Sequence, residues 1–391
     1  MGGVRPTGLL RDRDGDTHAK VGYAELFFDL VFVFAITQLS HTLLEAASAL
    51  DVVRTCLLFL AVWWVWIYTG WVTNWIDPER AATRLMLFAL MGAGLVMSMS
   101  LPDAFGTKGL AFALAYVAMQ VGRTAFMVWA IGPEQAALRL NFLRILAWLT
   151  AAGVLWIAGG LAEGNTRLNL WIVAIVIEYA SPLALFWTPG LGHSTPDDWQ
   201  VEGEHLAERC GLFIIIALGE SILVSGATFA KQSWDALHSA AFAICLLGSI
   251  AMWWVYFHVG AERGSAHIAN SKDPGRIARN GYTYLHALIV GGIVLSAVSD
   301  EILLAHPDGA VSLGAGAAII GGPALYLAGC GLFKRMSLGW FPLSHRIGLG
   351  IMAALVGLAF FVSPLVLGTA ATAALILAGA WEYLSLKKVR A

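Results

Sequence analysis

Apolar runs of about twenty residues, broken by short polar stretches, recur along the whole chain. A run of that length is what an α-helix needs to cross the hydrocarbon core of a bilayer. The pattern predicts twelve of them, at 23–44, 52–73, 84–101, 109–131, 143–162, 168–187, 208–229, 238–259, 282–300, 310–333, 346–366 and 369–386. A hydrophilic stretch at 188–207 separates the first six from the last six. The expected organisation is a cytoplasmic N-terminal tail (1–22), a first six-helix membrane repeat (23–187), an acidic cytoplasmic linker (188–207), a second six-helix repeat (208–386) and a short C-terminal tail (387–391). The fold class is therefore an all-α integral membrane protein.

Composition sharpens this reading. Of 391 residues, 58% are hydrophobic and 13% are charged, against about 45–50% and 25% in a soluble domain. A water-soluble fold has no place for so much apolar surface, whereas lipid accepts it on the outside. The 16 tryptophans and 42 glycines fit interfacial anchoring and close helix packing. Cys56, Cys210, Cys245 and Cys330 lack metal-ligand spacing and read as buried thiols. A net charge of −2 gives no reason to expect a nucleic-acid partner. The first twenty residues lack the apolar core and cleavage site of a signal peptide and the Ser or Thr of a myristoylation motif.

The basic residues test the order of the spans. With the N-terminus in the cytoplasm, the outer side receives only Arg54, Lys108, Arg167 and Lys231, and Arg123 stays inside a span. Every other Lys and Arg falls on the inner side, as the positive-inside rule requires, and both termini are then cytoplasmic.

The two halves also echo each other. Ala61-Val-Trp-Trp-Val65 returns as Ala251-Met-Trp-Trp-Val255, and Asp77-Pro78 with Arg80 as Asp273-Pro274 with Arg276. Ala89-Leu90, Gly94, Val96 and Ser98 return as Ala287-Leu288, Gly292, Val294 and Ser296, and Glu178-Tyr179 as Glu382-Tyr383. The offset grows steadily along the chain, as small insertions in a second copy require. Six spans per copy make the repeat parallel, a design in which transporters often place their site between halves near the midplane.

Ionisable groups inside apolar spans cost free energy and are functional candidates by default. Glu25 and Asp29 stand one helical turn apart, and Ser40 returns to nearly the same angle, flanked by Thr37 and His41. Such a stripe could carry protons or coordinate a cation; the structural alternative is a helix-start carboxylate paired with a cytoplasmic Arg. Glu220 falls in the middle of the seventh span beside Gly219. Glu178 lies in the sixth span and its copy Glu382 in the twelfth, where recurrence favours a shared structural duty such as an ion pair with a repeat-related base. His258 and His286 could shuttle protons or serve as packing donors. Asp300-Glu301 are expected to close the ninth span in an exposed outer vestibule, and Arg123 needs a charge partner, with Glu178 or Asp29 available. The tryptophan pairs 63–64 and 253–254 read as packing and interface anchors.

Three stretches together resemble the bacterial low temperature requirement protein A family. They are Tyr23-Ala-Glu-Leu-Phe-Phe-Asp-Leu-Val-Phe-Val-Phe-Ala-Ile-Thr-Gln-Leu-Ser-His41, Glu208-Arg209 followed by Ile216-Ala-Leu-Gly-Glu-Ser-Ile-Leu223, and Tyr282-Thr-Tyr-Leu-His286 leading to Ser299-Asp300-Glu301. The resemblance covers roughly residues 20–386 and implies a multi-spanning bacterial membrane protein without an established biochemical activity. Phe28-Asp29 with Val31-Phe32 and Ala35-Ile36-Thr37 also resembles the first helix of a potassium-channel family with six-helix repeats, although Phe28 stands where that signature has Ser.

There is no phosphate-binding Gly-x-x-x-x-Gly-Lys-Ser/Thr loop, no His-Glu-x-x-His and no nucleophile elbow. The leading expectation is a secondary transporter of a small solute or ion, coupled to protons or a cation, with Asp29 and Glu220 meeting near the repeat axis. An ion channel, a membrane-embedded enzyme or assembly factor and a structural scaffold are the alternatives. The expected pathway residues are Asp29, Glu220, Glu25, His41, Glu178, His286 and Ser40. Neither a metal nor a cofactor is expected. The expected partners are the lipid bilayer and an unidentified small solute or ion, and a homo-oligomer is compatible with the pattern.

Overall fold

The apolar runs fold as α-helices along the chain. The computed structural model describes residues 8–11, 21–132, 135–195, 198–199, 201–258 and 274–390. Its first helices are α1 (Tyr23–Leu44), α2 (Ala49–Trp75), α3 (Ala81–Ser100), α4 (Gly109–Ala130), α5 (Ala136–Leu161) and α6 (Gly164–Ala180). They are followed by α7 (Gly203–Phe229) and α8 (Ala236–Phe257). A short helix, Pro274–Ala278, runs through a π-helical turn, Arg279–Leu285, into α9 (His286–Ala305). The last three are α10 (Leu313–Leu338), α11 (Leu343–Leu358) and α12 (Pro364–Arg390). Among the described residues there is no β-strand, only the isolated bridges Leu10–Ile76 and Thr188–Gly192.

Among the described residues, ten helical segments are long and apolar enough to cross a membrane. The other two at expected positions, α6 with 17 residues and α11 with 16, are shorter. At 1.5 Å per residue they reach about 24–26 Å, short of a hydrocarbon core of about 30 Å. Helix α6 ends at Ala180, before the 187 that hydropathy suggests. Pro182 has no N–H to continue the helical ladder, and Leu185 and Phe186 then take positive φ of 51° and 50°. The polar residues Glu204 and His205 are incorporated into α7, which starts at Gly203 and not at 208.

Local signals set several helix ends. Ser48 and Ser312 cap α2 and α10 by accepting the N–H of Asp51 and Ala315, and the Asp235 carboxylate caps α8 by accepting that of His238. Gly339, at φ 84°, closes α10 in the left-handed region that suits glycine.

The chain divides into two compact units, Met1–Leu206 with Lys272–Arg276, and Ala207–Ser271 with Ile277–Ala391. In the first unit α1 packs on α3, α3 on α4, α4 on α5 and α5 on α6, while α2 touches α1, α4 and α6. Helix α2 is buried on every face from Ala61 to Trp75, with Trp63, Trp64 and Trp66 at most 2% exposed. These tryptophans are therefore interior residues and not interface anchors. In the second unit α9 packs most extensively on α10, and α12 on α8 and α11. The close approach of α9 to α10 depends on glycine: a Cβ on Gly292 would lie 2.5 Å from the Tyr326 backbone nitrogen. Phe27, Leu30, Val154, Leu223 and Phe361 are each more than half exposed, an outward apolar surface that suits lipid.

Candidate functional site

The first unit gathers most of the expected acids, and none of them stands in bare hydrocarbon. Glu25 is fully buried in the first turn of α1. Its Oε2 accepts the Gly22 N–H at 2.8 Å and the Arg11 guanidinium at 3.1 Å. The imidazole of His205 reaches Oε1 with Nε2 at 3.0 Å. The side-chain amide of Asn74 is held in one orientation, because Nδ2 donates to the Glu202 carbonyl at 2.9 Å while Oδ1 accepts the Glu202 N–H at 3.1 Å. Asn74 Nδ2 also lies 3.3 Å from His205 Nδ1, and His205 Nε2 lies 3.1 Å from Arg11 Nη2, so the imidazole, the guanidinium and the Glu25 carboxylate form one buried cluster.

Asp29, one turn further on, is also fully buried and accepts the Trp66 indole N–H at 2.8 Å. Beyond it the polar stripe of α1 changes character. The Ser40 hydroxyl is turned onto its own helix, donating to the Thr37 carbonyl at 2.9 Å, and His41 is exposed in the last turn.

Glu178, 1% exposed, ends a hydrogen-bonded string that crosses three helices. Its two oxygens accept the Tyr116 hydroxyl and, at 3.2 Å, the Trp156 indole. Gln120 donates to the same Tyr116 oxygen at 3.2 Å and accepts the Arg123 guanidinium through Oε1. Arg123 in turn donates to the Val65 carbonyl at 3.1 Å and to Thr69 Oγ1 at 3.0 Å, with its guanidinium over the Tyr68 ring. Among the described residues Arg123 therefore has no direct carboxylate partner of the kind expected. Its link to Glu178 runs through a neutral amide and a phenol. Tyr116, Gln120 and Arg123 lie at i, i+4 and i+7 on α4, which puts them on one face.

The second unit is wired differently. Glu382 forms the expected ion pair directly, with Lys334 Nζ at 2.6 Å, and Lys334 also donates to the Val255 carbonyl at 2.8 Å. His286 is fully buried; Nδ1 lies 2.8 Å from the Gly281 carbonyl, and Nε2 accepts the Tyr256 hydroxyl at 2.8 Å. Both ring nitrogens of a neutral imidazole are thereby used, which makes His286 a packing donor and acceptor. His258 stacks on Trp254 at the end of α8. Glu220 is 6% exposed in the middle of α7.

Asp300 corrects an expectation. Helix α9 continues to Ala305, so this carboxylate lies inside the helix and not in an exposed vestibule. Its Oδ2 accepts the Ser221 hydroxyl at 2.9 Å and the Ser225 hydroxyl at 3.4 Å, and Cys245 Sγ is 3.9 Å from its backbone carbonyl.

His205, Asn74, Trp66, Tyr116 and Gln120 were not legible as site residues. The one sequence signal available for His205 was its i, i+4 spacing to Arg209, and for Tyr116 and Gln120 their helical register with Arg123. Arg5, Arg13, Lys20, Arg263, Lys272 and Asp273, used in the charge count and the repeat, lie outside the described residues.

The family model described as bacterial low temperature requirement A protein (LtrA) matches residues 20–380. The chain is 41% identical over 388 residues to a Rhizobium meliloti (strain 1021) protein called "Uncharacterized protein RA0937", covering 98% of this chain and 94% of that one. No solved structure matches the chain.

Proposed function

The chain belongs to the bacterial low temperature requirement A family, and from that premise we propose that it is a secondary transporter of a small solute or ion, coupled to protons or another cation. It sits in the bacterial cytoplasmic membrane with both termini on the cytoplasmic side, and its halves, 23–187 and 208–386, are parallel copies. The observation that carries the reading is the string Glu178–Tyr116–Gln120–Arg123–Thr69, which crosses α6, α4 and α2 of the first unit. A scaffold gains nothing by keeping a buried acid and a buried base apart through a neutral relay, because direct pairing or apolar replacement is the cheaper solution. Glu178 is the member of the string that can take up and release a proton, and the Tyr116 hydroxyl beside it can donate to or accept from the carboxyl as it does so. Asp29 and Glu220 are the acids proposed for the pathway, with Glu25 and His205 close to the helix start.

Two pairs of contacts support the duplication. Arg123 donates to the carbonyl of Val65 and Lys334 to that of Val255, the same position in the two Trp-Trp-Val segments. Trp64 meets Tyr179 at 4.1 Å and Trp254 meets Tyr383 at 5.9 Å between ring centroids.

Proteoliposomes containing the full chain and an internal pH dye test the carrier reading. A saturable flux driven by an imposed pH gradient is expected, falling at least about tenfold in Asp29→Asn or Glu220→Gln. Large unitary currents in planar bilayers would replace the carrier by a channel. If both variants leave flux and growth in the cold untouched, the pathway assignment fails.

A further inference from the structure

Most hydroxyls on these helices are spent on their own backbone. Ser40, Thr55, Ser98, Ser100 and Thr124 each donate to a carbonyl three or four residues earlier, the usual habit of Ser and Thr in a helix. Several in the second unit do not. Ser296, Ser299 and Thr372 are 4%, 6% and 8% exposed, and among the described residues none of their hydroxyls makes a hydrogen bond; Ser296 Oγ is fully enclosed.

These three side chains and Asp300 line one cavity between α8, α9, α10 and α12. Ser221 and Ser225 donate to Oδ2 of Asp300, and among the described residues nothing donates to Oδ1. Ile319 and Pro323 line the same cavity. Pro323 sits inside α10 and has no N–H, so the carbonyl of Ile319 lacks its helical partner. The cavity has room of about 20 Å³, enough for one water-sized occupant. Gly248 keeps the space beside Thr372 open, since a Cβ there would lie 3.4 Å from Thr372 Oγ1.

We propose that this cavity is a binding site for one dehydrated monovalent cation of sodium size, liganded by Asp300 Oδ1, the hydroxyls of Ser296, Ser299 and Thr372, and the Ile319 carbonyl. The donor set is all oxygen, which selects a hard cation. Among the described residues no three His, Cys, Asp or Glu side chains gather as a transition-metal site requires. One carboxylate neutralises one positive charge; a divalent ion would keep a net charge inside the membrane. The space excludes a hydrated ion, so protein oxygens must replace the water shell. A carbonyl that an intrahelical proline leaves without its N–H partner can serve this purpose at membrane depth.

The site stands apart from the carrier reading, because binding is measured with no gradient imposed. The purified full-length protein in detergent is unfolded thermally in sodium, lithium, potassium or choline chloride at equal ionic strength, with calorimetric titration of sodium chloride in parallel. Sodium is expected to raise the unfolding midpoint in a saturable way that choline does not reproduce. Asp300→Asn is expected to abolish the effect, and Ser296→Ala and Thr372→Val to weaken the apparent affinity about tenfold each. Should Asp300→Asn fail to fold, the two hydroxyl variants decide the matter. Equal midpoints in sodium and choline, or a sodium effect unchanged in Ser296→Ala and Thr372→Val, overturn the proposal. A potassium response as strong as that of sodium overturns the size assignment.

Discussion

Arg123 and Lys334 do the same thing to the backbone and opposite things to charge. Each donates to the carbonyl of the valine that ends a Trp-Trp-Val segment. Each also lies in the unit that holds one member of the Glu-Tyr pair. Lys334 then pairs directly with Glu382 at 2.6 Å, whereas Arg123 stops at Gln120 and leaves Glu178 to Tyr116 and Trp156. The second unit thus locks its buried acid in an ion pair, and the first interposes groups that both donate and accept. The contrast extends to serine. Ser98 donates to the Gly94 carbonyl at 2.8 Å, while its sequence counterpart Ser296 leaves Gly292 alone and lines a cavity. The two units thus hold two kinds of polar interior, one self-contained and one that lines a cavity.

The largest effect expected from breaking this contrast is at the ion pair. Lys334→Met strands a buried carboxylate and should cost about 3–5 kcal/mol, most of it recovered by adding Glu382→Leu; unfolding in detergent reads both. A silent Lys334→Met would mean that the pair does not hold the second unit together. Next comes Tyr116→Phe, which deprives Glu178 and Gln120 of the hydroxyl they share and should cost about 1–3 kcal/mol, with a loss of proton flux in proteoliposomes. Unchanged flux would reduce the relay to packing. A smaller and more discriminating pair is Ser98→Ala against Ser296→Ala. The first loses a made hydrogen bond, about 0.5–1.5 kcal/mol, and the second removes a hydroxyl with no protein partner, so in choline its cost should be near zero. Equal costs would erase the difference between the units.

The smallest effect is at Asp235, outside the spans. The Ser233 hydroxyl, with the His238 backbone N–H and imidazole, holds this carboxyl well below the usual carboxylate range. A lowered folded value stabilises above the ordinary range of about 4 and is lost as the pH falls through the folded value. Asp235→Ala should therefore lower the unfolding midpoint slightly at neutral pH, with the difference from wild type narrowing in strong acid. A gap that widens with acidification would contradict the cap.

Helix positions were legible because an apolar run of fixed length has few other uses. Helix ends were not, since hydropathy cannot register a polar first turn such as Glu204-His205 or the effect of Pro182 on α6. Glu25, Asp29, Glu178 and Glu220 announced themselves as charges in apolar surroundings and are all buried. Their partners did not, because Trp66, Tyr116 and Gln120 look like ordinary packing residues until a neighbouring helix supplies the acid. Ser299 and Thr372 were invisible for a related reason: what distinguishes them is the hydrogen bond they do not make. Asp300 was misplaced because the length of α9 was underestimated.

The π-helical turn at Arg279–Leu285 has a bearing on how such a chain changes length. Between Asp273 and Ala287 the second half is two residues longer than the first half between Asp77 and Ala89, and the widened turn falls inside that interval. A π-turn takes in an extra residue by bulging while the helix continues. Growth of this kind leaves the loops alone and rotates everything upstream of the bulge about the helix axis. One lineage can thus re-aim half of a helix in a single genetic step, without rebuilding the face that packs.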